Sequence, residues 1–156
     1  MKKEIIEKEL EQLGKKYSLP IKELDKELEL TNILLKMREM PEFPMRIIRR
    51  RLVDIHILWI NYLHSFIFPS SQSIVMAKEA DGFNEKEKDD MYRTIAKLAK
   101  VTRESIMFEM KRDEAKEAEF VKQAFDAFKK IKKQIELFAD KNIEFWKREA
   151  EKKDNG

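Results

Sequence analysis

Apolar positions recur along this chain at a spacing of three and four residues, the period of an amphipathic helix rather than a strand. Ile6, Leu10 and Leu13 predict a first helix over 2–13, with Gly14 in the left-handed position just past its end. Ser18 reads as the N-cap of a second helix that has Pro20 in its first turn. Ile21, Leu24, Leu28, Thr31 (or Asn32) and Leu35 continue it as one unbroken stripe. Met40-Pro-Glu-Phe-Pro44 ends that helix, and Pro44 suits the first position of the next.

The third main helix is predicted over about 45–68 and stops before Pro69. Beyond Leu52 its apolar residues cover almost the whole circumference, so it reads as the buried central helix of a bundle, with lipid as the other environment that fits. A short helix over 73–78 is closed by Asp81-Gly82, and Asn84 to Glu87 forms a capping-box start. From Asn84 to Asn155 there is no Gly or Pro. Met91, Ile95, Leu98, Thr102, Ile106 and Met110 make one stripe there. Val121, Ala124, Phe128, Ile131, Ile135, Phe138, Asn142 and Phe145 make a second, with the seam of a coiled coil or bundle. The polar run 111–119 between them predicts a reversal near 111–114 with Asp113 as N-cap; one continuous rod is the alternative.

The pattern therefore predicts an all-α bundle of about five main helices with a long C-terminal helix. It is read as one domain over 1–152 with a frayed tail at 153–156. Three Gly and four Pro among 156 residues are too few for the turns of a β-sandwich or α/β fold. The absence of Cys excludes disulfides, thiolate catalysis and Cys-based metal sites, and the expected location is the cytoplasm. A net charge of +3 makes the overall field weak, so any polyanion binding must come from local clusters.

Although 40% of the residues are charged, Ile55 to Ala77 contains no Asp, Glu, Lys or Arg. A basic collar of Arg46, Arg49, Arg50 and Arg51 precedes it. Arg46, Arg50, Arg51, Asp54, Asn61, His64 and Ser65 fall on one side of the helix, where a polar pocket between helices could hold a ligand. Arg50 and Asp54 have i, i+4 spacing and can pair. His56 reads first as a core histidine bonded to a backbone carbonyl or to Asp54. His56 and His64 lie eight residues apart on different faces, and neither has a Glu three positions earlier, so no metal site is implied. No cofactor is implied either.

Arg51-Leu-Val-Asp-Ile-His56 resembles the central motif of HEPN-domain ribonucleases, small all-α proteins that act as dimers. The resemblance implies that Arg51 and His56, the only catalytic candidates here, would act on an RNA phosphate and 2′-hydroxyl. It covers six residues, and Leu52 stands where that family usually places a polar residue. Lys129, Lys130, Lys132 and Lys133 form a second basic cluster, diluted by Asp126 and Glu136. Its aromatics are not interleaved with these lysines, unlike a base-stacking platform.

Glycine-rich phosphate loops, nucleophile elbows and paired catalytic carboxylates are absent, which points away from an enzyme. The sequence favours an interaction or scaffold module working through apolar helix faces. Phe120, Phe128, Phe138, Phe145 and Trp146 are the expected face. The expected partner is a second copy or another helical protein. An RNA-binding or RNA-cleaving domain using Arg50, Arg51 and His56 ranks second, and a peripheral membrane protein anchored by the 52–68 helix ranks third.

Overall fold

The computed structural model describes residues 2–154, of which the side chains of 153 and 154 are left aside. The chain is all-α, with seven helices and no strand among the described residues. They are α1 (Lys3–Tyr17), α2 (Ile21–Leu28), α3 (Leu30–Leu35), α4 (Pro44–Ile67), α5 (Ile74–Asp81), α6 (Glu85–Met110) and α7 (Glu114–Asp154). The helical-bundle expectation holds. Of the tail, Asn155 and Gly156 lie outside the described residues.

Three local expectations are corrected. Gly14 is not a terminator: α1 continues to Tyr17, and Ser18 takes the left-handed position at φ 54°. Ser18 therefore closes α1 instead of opening α2, whose N-cap is Pro20. Gly14 is used for close approach, since a methyl there would lie 2.9 Å from Cβ of Ile21. The second predicted helix is broken at Glu29, which adopts φ 57°. Asp25 holds the break, accepting from the Thr31 backbone N–H at 2.7 Å and from the Thr31 hydroxyl at 2.6 Å. The kink lets Leu28 and Leu30, on opposite sides of the break, both be fully buried.

The described residues form two compact units. The first comprises 2–55 and 103–127. Its buried apolar residues include Ile6, Leu10, Leu24, Leu28, Leu30 and Leu34 from α1 to α3, Met45, Ile48 and Leu52 from α4, and Val121 and Phe125 from α7. Within it, the end of α6 and the start of α7 run antiparallel, with Phe108 and Phe120 in ring contact at 5.1 Å. The reversal falls at 111–113 as expected, and Asp113 Oδ1 accepts from the Lys116 N–H at 3.1 Å.

The second unit comprises 56–102 and 128–154. Leu63, Phe66, Phe83, Met91, Leu98, Ile131, Ile135 and Phe138 form its core. Its capping box operates as read, and Ser73 adds a cap that the sequence reading did not assign. Ser73 caps α5 by accepting from the Met76 N–H, and Asn84 and Glu87 exchange the two bonds of a capping box at 2.8 and 3.1 Å. Lys141 of α7 pairs with Glu87 of α6.

Candidate functional site

The arginine collar is turned onto the chain's own acceptors. Arg49 is buried, with a side chain 2% exposed. Its Nε donates to Glu117 Oε1 at 2.7 Å, Nη2 to Glu109 Oε1 at 2.6 Å, and Nη1 to the backbone carbonyl and hydroxyl of Ser105. Arg50 grips both oxygens of Glu109, at 2.9 and 2.8 Å. It does not pair with Asp54, because the long-range carboxylate offers a two-pronged acceptor that matches the guanidinium fork. The Arg50 and Arg49 hydrogen bonds hold the Glu109 carboxyl down to about 2, against the opposing effect of burial.

Arg46 Nη2 donates to the Phe108 carbonyl at 2.8 Å, while its buried Nε has no partner. Arg51 Nε donates to the Leu28 carbonyl at 3.2 Å, and Nη2 lies 3.9 Å from Glu29. These four side chains fasten α4 to neighbouring segments of the first unit. None of these partners is near in sequence, so the helical spacing of the arginines gave no sign of them.

His56 is a core residue, but not a bonded one. It has no exposed surface, and neither ring nitrogen has a hydrogen-bond partner. The expected bond to Asp54 or a carbonyl is absent. The ring instead stacks with Trp59 and Phe128, at 6.1 and 5.9 Å. Burial alone lowers its pKa to about 4, so it is neutral at physiological pH. A ring without exposed surface does not reach an RNA backbone in this conformation. His64, by contrast, lies on the surface. Among the described residues no three His, Cys, Asp or Glu side chains gather as a metal site would require.

The polar stripe read from α4 does not line a pocket between helices: Asp54, Asn61 and His64 are exposed. They share the outer face with apolar neighbours. Leu58 is 67% exposed, and Ile57 and Phe68 are exposed with it. Positions 57, 61, 64 and 68, with 58 beside them, follow the three-and-four spacing of a single helix face. The predicted all-round burial of this helix is thus one-sided, with Leu63 and Phe66 taking the inner face. Ser65 is partly buried, and its hydroxyl donates to the Tyr62 carbonyl at 2.6 Å. No described helix is long and apolar enough to cross a membrane.

The aromatic seam of α7, the face expected for partners, is occupied within the chain. Phe128 and Phe138 are buried, and Phe120 packs on Phe108. Phe145 sits against Gly82, and Trp146 Nε1 donates to Glu79 Oε2 at 3.1 Å. Asn142 Nδ2 donates to the Tyr62 hydroxyl at 3.4 Å. Phe128 and Phe138 thus belong to the core and Phe120, Phe145 and Trp146 are half-buried, while among the exposed apolar residues that sequence reasoning left out, Ile57, Leu58 and Phe68 gather on the outer face of α4. The signal that could have found them was present: the segment without charges is too long to be covered on every side.

The fold defines an all-α helical bundle. No family model, curated protein or solved structure matches the chain.

Proposed function

We propose that this protein is a non-enzymatic helical interaction module that self-associates through the outer face of α4. The observation that carries the reading is the exposure of Ile57, Leu58 and Phe68 together on the charge-free stretch of α4 that follows Asp54, in a chain that is 40% charged. Clustered exposed apolar groups of this kind mark interaction surfaces. The chemistry of the face favours a second copy. Two identical charged faces repel, whereas this one carries no Asp, Glu, Lys or Arg beyond Asp54 at its N-terminal edge, so a two-fold contact centred on Asn61 brings no like charges together. Asn61, at its centre, carries both a donor and an acceptor and so complements its own copy.

The absence of native Cys offers a direct test. Leu58→Cys places one thiol on the face, and Lys122→Cys places one on an exposed position of α7. Mild oxidation is expected to give a disulfide-linked dimer with Leu58→Cys and far less with Lys122→Cys. Equal, slow cross-linking of both would contradict self-association. Flotation of the wild-type protein with lipid vesicles in place of dimer formation would assign the same face to a membrane surface.

A further inference from the structure

A groove in the second unit, independent of the α4 face, carries a different kind of surface. Asp90, Arg93, Thr94 and Lys97 of α6 and Lys130, Ile131 and Gln134 of α7 line it, with a volume of about 380 Å³. At about 100° per residue, Lys130 turns to this side of α7 with Ile131 and Gln134, while Lys129 and Lys132 turn away and Lys133 stays outside the lining, about 60° round from Lys130. The lysine run is therefore not one patch. Its contribution here is a single residue, and α6 supplies the other cations. Lys97 and Lys130 are exposed and make no ion pair among the described residues. Arg93 lies 3.6 Å from Asp90, the one carboxylate in the lining.

We infer that this groove binds the phosphodiester backbone of a nucleic acid through Arg93, Lys97 and Lys130. The lining decides between polyanions. A protein segment is held chiefly by apolar and aromatic anchors in dry pockets. Here the only large apolar side chain is Ile131, which is buried beneath the floor. A nucleic-acid backbone needs only positioned cations and hydrogen-bonding groups, and the exposed cations with Gln134 supply these. The groove offers no aromatic platform, so binding is indifferent to base identity.

The test is fluorescence anisotropy of the full chain with a labelled single-stranded RNA, and with DNA of the same sequence. A dissociation constant of about 10⁻⁴–10⁻⁶ M is expected for both. With three phosphates neutralised, affinity falls roughly 20-fold between about 50 and 200 mM salt. Lys97→Glu and Lys130→Glu should each weaken binding at least tenfold. Lys129→Glu, which makes the same change in net charge on the side of α7 turned away from the groove, should change it less than threefold. No binding at low salt, an equal loss with Lys129→Glu, or displacement of the RNA by polyglutamate of matched charge would each overturn the inference. All three variants lie on exposed helix positions, and circular dichroism verifies that they stay folded.

Discussion

Arg49 Nε donates to Glu117 Oε1 at 2.7 Å with both side chains buried, joining α4 to α7 across 68 positions of sequence. A buried pair of this kind specifies geometry more than it adds stability, because taking both charges out of water offsets most of their attraction. Removing Arg49 is different, since it leaves the buried Glu117 carboxylate without its arginine, whereas removing Glu117 leaves Arg49 still paired with Glu109. Arg49→Met should therefore cost about 3–5 kcal/mol in urea unfolding, and Glu117→Gln less than that. The double variant Arg49→Met/Glu117→Leu should recover most of that loss. A cost below about 1 kcal/mol for Arg49→Met would show that the pair is solvated and incidental.

His56 gives the fold a defined sensitivity to acid. Its folded pKa, about 4, lies below the ordinary value of 6.5. Above pH 6.5 the ring is neutral in both folded and unfolded chains, and its contribution is complete. As pH falls from 6.5 towards 4, the unfolded chain takes up a proton that the folded chain refuses, and stability drops by about 3 kcal/mol. His56→Phe, which keeps the stack on Trp59 and Phe128, should remove this slope. Glu109 acts in a separate, lower window. Its depressed pKa favours the folded state above the ordinary carboxylate value and loses that effect as pH falls towards about 2. Unfolding curves that keep their slope between pH 6.5 and 4 in His56→Phe would place the titrating group elsewhere.

Gly14 should resist a change that helix propensity alone favours. Ala is the better helix former by about 1 kcal/mol. Its methyl would meet Ile21 Cβ at 2.9 Å, however, and α1 and α2 would have to part. Gly14→Ala is expected to destabilise by about 1–3 kcal/mol. Thermal unfolding measures it, and a raised melting temperature would mean that the contact relaxes at no cost.

What was legible in the sequence followed the range of the interaction. The Asn84–Glu87 box and the Asp113 cap act over three residues, and each stands where its spacing placed it. The α4 boundaries were equally plain, set by Pro44 and Pro69. The break at Glu29 was hidden because the apolar stripe runs through it, and only the Asp25–Thr31 bonds across the break mark it. Arg49 read as a solvated cation because its partners Glu109 and Glu117 are distant in sequence. The α7 phenylalanines looked available for a partner, since periodicity gives the direction of a face but not what covers it. The same ambiguity concealed Leu58, whose exposure depends on which side of a nearly all-apolar helix the rest of the second unit occupies.

The measurement that tests the central claim most directly is sedimentation equilibrium of the wild-type chain and of Leu58→Glu over a range of concentrations. The wild type should show a reversible monomer–dimer equilibrium. Leu58→Glu should remain at the monomer mass of 18.8 kDa with an unchanged circular dichroism spectrum, because a carboxylate on each copy would face its twin across the two-fold. A wild-type protein that stays monomeric throughout, or a Leu58→Glu variant that dimerises as well as the wild type, would contradict the assignment of the α4 face.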